Sequence, residues 1–336
     1  MATIVYPPTI NFSWLFQRPQ QILSRMATKN YTVYYLNKTY DANYKRGITE
    51  LKENLYLVNG VGIGSIKLRE IPILWISYPP NYSYVKMFKK KYVIFDSIDY
   101  PSDEFSEWRF NFEEVQKAAN IIFASSRKLY NINKRVNNKT FLLPNGADFK
   151  HFNKAERIFS KRPPDLPEGK PIVGYIGALA TWIDWDIVDY ASLACPEYNF
   201  VYIGPNLNMK KLPKRDNIFY LGEKKYSMLP EYLQFFDICI IPFKVTSMTE
   251  GADPIKMYEY LSAGKPVVSS NLPSILRCEG IYTANGKAEF ANMIKEAFEN
   301  YDDQKRKKLV HIAMENSWER RAEYADRIIR YYLMTW

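Results

Sequence analysis

The chain reads as an α/β protein built from two doubly wound domains in tandem, and three observations predict it. Short β-branched and aromatic runs such as Ile4-Val5-Tyr6, Tyr92-Val93-Ile94-Phe95 and Ile238-Cys239-Ile240-Ile241 recur along the whole length, with helical stretches between them. Strands buried on both faces of a parallel sheet have this appearance. The 336 residues are about twice the length of a usual single domain. Finally, from Phe149 to Pro171 the composition shifts to Lys, Arg, Glu and Pro, with Lys161-Arg162-Pro163-Pro164 and Pro167-Glu168-Gly169. The expected layout is a first domain over 1–150, a linker over 151–171 and a second domain over 172–317, with 318–336 a candidate to pack back on the first.

The elements follow in order. Ile4-Val5-Tyr6 runs into Pro7-Pro8, and Trp14 through Gln21 then enters a helix that continues to Ala27, with Pro19 suited to a first helical position. Tyr31–Leu36, Leu55–Val58 and Ile71–Ser77 are further strands. Tyr92–Phe95 ends in Asp96-Ser97-Ile98-Asp99-Tyr100-Pro101, and a helix around Phe112–Ala119 leads to the strand Ile121–Ala124. Ser125-Ser126 opens another helix, and Thr140–Leu143 precedes Pro144-Asn145-Gly146-Ala147-Asp148. In the second half, strands are expected at Ile172–Ile176, Phe200–Ile203, Ile218–Leu221, Ile238–Ile241 and Val267-Val268, with a helix near Ala288–Asn300 and a closing aromatic, basic helix from Ser317 through Tyr332. Such sheets bind ligands at their carboxyl ends, so the expected site is a cleft walled by loops at 14–21, 96–101 and 125–126 and at 177–184, 204–206, 222–226 and 243–256.

The stretch Glu250–Ser270 carries the most chemistry. A charged loop enters a helix over Ile255–Ala263, which Gly264 and Pro266 end before Val267-Val268. The open amides and positive dipole at this helix N-terminus, with Lys256 in the first turn, suit a pyrophosphate. Glu259 falls one turn later, on a face where a carboxylate accepts bonds from sugar hydroxyls. The spacing equally describes a crossover helix with a solvated Lys–Glu pair.

Composition sets the outer bounds. The chain is 47% hydrophobic and 24% charged, as expected for a folded globular protein. No apolar run is long enough to cross a bilayer, and Met1-Ala2-Thr3-Ile4-Val5-Tyr6 reads as a first strand rather than a leader, so the expected location is cytoplasmic. Cys195, Cys239 and Cys278 form no Cys-x-x-Cys pair and read as buried free thiols in a reducing compartment. The net charge of +10 calls for an anionic partner, whether nucleic acid, membrane surface or phosphorylated substrate. No zinc-finger, RNA-recognition or helix-turn-helix pattern accompanies it, which argues against nucleic acid.

Several of these segments together resemble the GT-B-fold glycosyltransferases, and more narrowly the bacterial teichuronic-acid-biosynthesis type. They are Gln17-Arg18-Pro19-Gln20-Gln21, Phe95-Asp96-Ser97-Ile98-Asp99, Leu143-Pro144-Asn145-Gly146-Ala147-Asp148, Gly174-Tyr175-Ile176-Gly177-Ala178-Leu179, Asp253-Pro254-Ile255-Lys256 and Glu259-Tyr260-Leu261-Ser262-Ala263-Gly264-Lys265-Pro266-Val267-Val268. The resemblance implies transfer of a sugar from a nucleoside diphosphate, with UDP the family-weighted nucleotide, to a saccharide or lipid-linked acceptor in cell-surface polysaccharide biosynthesis. It implies that the second domain holds the donor and the first the acceptor. Carried over by position, Lys256 contacts the diphosphate and Glu259 the ribose. Asp253 and Pro254 lie near the donor sugar or phosphate, Gly177 and Ala178 let backbone approach the pyrophosphate, and Tyr226 closes the Gly222–Tyr226 loop near the base. Two departures stand out: a Glu-x7-Glu pattern counted back from Glu259 lands on Gly251, with Glu250 one position off, and Asn11-Phe12-Ser13-Trp14 replaces the usual Gly-Gly.

A departing nucleoside diphosphate needs cations and N–H dipoles. The resemblance implies that no metal or other cofactor is required, with Lys256 first and Arg18 second in that role. An inverting reaction also needs a base. The two histidines, His151 and His311, map to no first-domain cleft loop, which leaves Asp99 and Asp96 as candidates beside their commoner use as caps and turn formers. Lys86-Met87-Phe88-Lys89-Lys90-Lys91-Tyr92 interleaves cations and apolar side chains and suits an anionic membrane surface as well as a solvated loop. A nucleotide-sugar epimerase or phosphorylase and a basic nucleic-acid-binding protein are the competing readings.

Overall fold

Strand β1 (Ala2–Tyr6) is buried at every position after the first, as a β-branched run must be when helices cover both faces of its sheet. The computed structural model describes residues 2–68, 70–156, 161–276 and 279–333. The chain forms two compact units. One comprises Met1–Asn145, Gly251–Asp253 and Trp318–Trp336, and the other Gly146–Glu250 and Pro254–Ser317.

In the first unit β1 is followed by α1 (Arg18–Ala27), β2 (Tyr31–Leu36), β3 (Gly47–Lys52), β4 (Leu55–Asn59), β5 (Ile73–Ile76), α2 (Tyr82–Met87), β6 (Tyr92–Ser97), α3 (Phe112–Ala118), β7 (Ile121–Ala124), α4 (Arg127–Lys134) and β8 (Thr140–Leu142). The strands make an eight-stranded sheet in the order β3-β4-β2-β1-β5-β6-β7-β8, parallel except where β3 pairs antiparallel to β4. Pro19 takes the second helical position of α1 rather than the first, because Gln17 is the N-cap and its N–H bonds the Gln20 side chain at 3.3 Å. In the core, fully buried Trp75 stacks on Phe123 at 5.7 Å.

The second unit runs α5 (Phe149–Phe152), β9 (Ile172–Ile176), α6 (Trp185–Ala194), β10 (Asn199–Ile203), β11 (Ile218–Tyr220), α7 (Leu229–Leu233), β12 (Ile238–Ile241), α8 (Ile255–Ser262), β13 (Val267–Ser270), β14 (Ile281–Ala284), α9 (Lys287–Glu299) and α10 (Asp303–Glu315). Its six-stranded sheet is all parallel, in the order β11-β10-β9-β12-β13-β14. Gly264 ends α8 with φ +59°, a left-handed turn that suits glycine. The last helix, α11 (Trp318–Leu333), is counted with the first unit.

The segment expected to be a linker over 151–171 is instead part of the second unit. Phe152, Ala155 and Leu166 are buried in its hydrophobic core, so these apolar anchors outweigh the polar composition around them. Residues 157–160 of that segment lie outside the described residues, as do Cys278 and 334–336. Cys195 and Cys239 are buried and free.

Candidate active site

Arg18 opens α1 at the carboxyl end of β1, and its long side chain is 1% exposed. A buried guanidinium must be paired. Its Nε donates to both carboxylate oxygens of Asp96 at 3.1 Å, its Nη2 to Asp96 Oδ1 at 2.7 Å, and its Nη1 to Asn145 Oδ1 at 3.0 Å. The Trp318 ring lies 5.9 Å from the same guanidinium. Asp96, at 0% exposure, therefore has both oxygens committed. The expectation that Asp96 deprotonates an acceptor does not fit this geometry, because it is the buried counter-ion of Arg18. Arg18 is likewise a core ion rather than a surface cap or a mobile phosphate ligand.

The same polar network extends to Asp253. The Asn145 amide N–H donates to Asp253 Oδ2 at 2.6 Å, its side-chain Nδ2 donates to the Asp253 carbonyl, and Arg321 Nε donates to the Asn145 carbonyl at 3.0 Å. Asp253 is thus tied down by backbone and side chain. Asp99, two residues beyond β6, behaves differently from Asp96. It is half-buried, and no hydrogen bond or salt bridge engages its carboxyl among the described residues. Desolvation pushes it up to about 6, partly opposed by the nearby charge of Arg18. A free carboxyl with that affinity is suited to accepting a proton near neutral pH.

In the second unit, Gly177 follows β9 and Gly204 follows β10, at φ +156° and +150°. A Cβ on Gly204 would sit 2.0 Å from the Gly177 carbonyl oxygen, so only glycine fits there. Gly177 in turn lies beneath Lys256. A Cβ at Gly177 would come within 2.7 Å of Lys256 Cε, 3.1 Å of its Nζ and 2.9 Å of the Tyr175 hydroxyl. The Lys256 ammonium is 5.4 Å from the Tyr175 ring centre and 5.3 Å from that of Phe243, a cation held by two aromatic rings.

Lys256 stands in the first turn of α8, whose N-cap is Pro254; no side chain caps that turn and no acidic residue stands in it. The Met257 amide donates to the Pro254 carbonyl at 3.1 Å, which leaves the Ile255 and Lys256 amides open at the start of the helix. The Ala178 carbonyl accepts the Tyr175 hydroxyl at 3.1 Å, while its N–H has no partner among the described residues.

No salt bridge joins Lys256 to Glu259, so the simple paired-surface reading of this helix does not describe it. Desolvation pushes the Lys256 ammonium down, against the opposing charge of Glu259. Desolvation pushes Glu259 up to about 7, with Lys256 opposing and Asp148 adding to the rise. Tyr226 donates its hydroxyl to Asp148 Oδ2 at 3.1 Å. Its ring stacks on His151 at 4.4 Å and 10°, and His151 Nε2 lies 2.8 Å from the Tyr226 carbonyl oxygen. This unit therefore offers one desolvated cation over a close-approach backbone, open amides, and a carboxyl poised near neutrality beside a stacked aromatic pair. Such a set suits a phosphate and neighbouring hydroxyls.

Residues 170–300 match the family model described as Glycosyl transferases group 1. The second unit carries a group 1 glycosyltransferase domain. That is an enzyme domain of the transferase class. The chain is also 27% identical over 180 residues to TuaH of Bacillus subtilis (strain 168), which is named as a teichuronic acid biosynthesis glycosyltransferase. The match spans 50% of this chain and 44% of that protein, less than half its length.

Among solved structures, sucrose-phosphate synthase from Thermosynechococcus elongatus superposes with a TM-score of 0.73 at 13% identity, covering 100% of both chains. Anabaena HepE in complex with UDP-glucose gives 0.68 at 14% identity, covering 98% of this chain and 100% of that one. WaaG, a glycosyltransferase involved in lipopolysaccharide biosynthesis, gives 0.65 at 13% identity, covering 97% and 99%. These likenesses show the fold, which is the GT-B type.

Gly177, Ala178, Tyr226, Asp253, Pro254, Lys256 and Glu259 all fall inside the glycosyltransferase domain, whereas Arg18, Asp96 and Asp99 precede it. Sequence reading missed Tyr175 and Phe243, whose apolar contexts look like ordinary strand residues. It also passed over Asn145 and Asp148 as individuals, although the Pro-Asn-Gly-Ala-Asp run that contains them was visible. Neither hydrophobic pattern nor charge signals a His151–Tyr226 stack.

Proposed function

We propose that the chain transfers a sugar from a nucleoside-diphosphate donor, with UDP as the nucleotide, to a saccharide or lipid-linked acceptor in cell-surface polysaccharide biosynthesis. The observation that carries this reading is Lys256 lying over Gly177 at the uncapped start of α8. In it, Lys256 and the open amides of α8 hold the diphosphate and stabilise its charge as it departs. The Ala178 N–H and the glycine backbone at Gly177 approach the same group. Glu259 accepts the ribose hydroxyls, and the Tyr226–His151 stack stands beside the base. Asp253 and Pro254 fix the entry to α8. Asp99 takes the proton from the acceptor hydroxyl in an inverting transfer. Arg18 acts through the fold by holding Asp96 and Asn145.

The relative named for teichuronic acid biosynthesis and the solved complex of HepE with UDP-glucose support the polymer and the donor class. No metal takes part in this reading, because Lys256 and the amides supply the positive charge. The acceptor side includes an anionic membrane surface, met by exposed Lys86, Lys89 and Lys91 around Met87, which is 82% exposed. Among the described residues no helix is long and apolar enough to cross a membrane, and the proposed place of work is the cytoplasmic face. Calorimetric titration with UDP, GDP and ADP tests the donor reading. UDP is expected to bind best, and Lys256→Ala to weaken it; no binding of any nucleoside diphosphate would overturn it.

A further inference from the structure

Beyond the carboxyl ends of β12, β13 and β14, a cavity of about 290 Å³ opens beside the first turns of α6 and α9. The phosphate reading makes no use of it. Three polar groups on its wall have hydrogen-bonding capacity left over. Asp184 caps α6 through Oδ1, which accepts the amides of Asp186 and Ile187 at 3.2 Å each, and its Oδ2 takes no hydrogen bond among the described residues. Asn285 accepts from Asn271 Nδ2 at 3.0 Å through Oδ1, and its own Nδ2 donates to nothing described. Ser270 is 3% exposed, and its Oγ has no hydrogen-bond partner among the described residues. A buried hydroxyl left in this state destabilises the fold unless something else satisfies it.

The rest of the lining is apolar, with Phe243, Val245 and Ala284 among it, and no lysine, arginine or histidine among the described residues takes part. A site without a cation and with a carboxylate does not suit an anion. A spare acceptor, a spare amide donor and a spare hydroxyl around an aromatic and aliphatic wall suit a ring that carries several neutral hydroxyl groups. We propose that this cavity holds a neutral monosaccharide unit, in a site separate from that of Lys256. The two are close neighbours, since Phe243, which lines the cavity, also has its ring centre 5.3 Å from the Lys256 ammonium. This inference does not rest on the donor reading.

The test is saturation-transfer NMR on the full chain with methyl glucoside, methyl galactoside and methyl N-acetylglucosaminide, each with and without UDP. At least one glycoside is expected to bind, and UDP to leave it in place. Val245 is 55% exposed, so Val245→Trp fills the cavity from its rim without disturbing the core; it is expected to weaken glycoside binding at least about tenfold at unchanged Tm. Asp184→Asn keeps the α6 cap, since asparagine caps as well as aspartate, and is expected to weaken binding too. Ser270→Ala is expected to weaken binding while raising the Tm of the ligand-free protein. No glycoside binding to the wild type, displacement by UDP, undiminished binding in Val245→Trp, or a lower Tm in Ser270→Ala would each overturn the proposal. Glycoside binding retained in a protein that binds no nucleoside diphosphate would overturn the donor reading and leave this one standing.

Discussion

The Lys256 ammonium lies 5.4 Å from the centre of the Tyr175 ring, over the backbone of Gly177 and without a salt bridge to Glu259 one turn along its own helix. A cation in that position is held by aromatic faces, is disfavoured by desolvation and is only partly offset by the charge of Glu259, which is the state an incoming diphosphate relieves. Lys256→Ala is therefore expected to lower kcat/KM by about 10²–10³, the usual loss for one stabilising donor, with Tm unchanged or slightly raised. Steady-state kinetics beside a thermal melt separates these effects; near-normal turnover would remove Lys256 from the phosphate role.

Gly177→Ala tests the same contact from below. The added methyl would sit 2.7 Å from Lys256 Cε and 2.9 Å from the Tyr175 hydroxyl. The lysine is flexible and yields, but φ +156° strains any side chain at this position, so the Tm is expected to fall while UDP affinity drops about tenfold, which is 1.4 kcal/mol. Calorimetric titration against the wild type reads the change directly. Equal affinities would mean that the lysine position is unimportant.

Asp99 and Glu259 give the protein a pH dependence of known sign. Each carboxyl binds its proton more tightly in the folded chain, with Asp99 raised from 3.8 to about 6 and Glu259 from 4.5 to about 7. Their contribution to stability is complete below the unfolded values and is lost as pH rises through about 6 and about 7. Glu259→Gln removes one share of that loss, so its Tm relative to wild type should climb between pH 4.5 and 7 and then level. A flat difference across that range would contradict the assigned shift.

Activity should run the other way. With Asp99 as the proposed base, the acceptor's proton passes to its ionised form, so kcat at saturating donor, where the ionisation of Glu259 no longer limits binding, is expected to fall on the acid side with an apparent midpoint near 6. Asp99→Asn is expected to lose about 10²–10⁴ in rate and the acid limb with it. A pH profile that keeps its acid limb in Asp99→Asn would assign the base elsewhere.

The Arg18–Asp96 pair should behave as structure. Arg18→Ala leaves a fully buried carboxylate without its partner, and breaking such a pair is expected to cost about 3–5 kcal/mol of stability. Urea unfolding measures it. A variant of wild-type stability with a selective loss of kcat would make Arg18 a chemical group instead of a scaffold.

The two parallel sheets were legible because β-branched runs at β6, β7, β9 and β12 have no other home than a buried parallel strand. Strand β3 was not, since Gly47-Ile48-Thr49-Glu50-Leu51-Lys52 lies on a sheet edge, where only alternate positions need shelter. Helix α10 hid for a similar reason, its Asp-Gln-Lys-Arg-Lys-Lys opening being mostly solvated. Lys256 and Glu259 stood out by spacing at a helix start. The separation of Asp96 from Asp99 did not, because both carboxylates follow the same strand and only the burial of Arg18 distinguishes them. Composition misplaced 151–171 because a few anchors such as Phe152 and Leu166 decide where a polar segment packs.

Trp318, fully buried, lies against the Arg18 guanidinium, while Arg321 from the same helix bonds the Asn145 carbonyl. A ribosome releases Met1–Asn145 long before it releases this helix, with nearly the entire second unit in between. The unit that is made first is thus the one that is finished last, and a nascent chain must carry Arg18 and its partners without their aromatic cover until translation reaches residue 318.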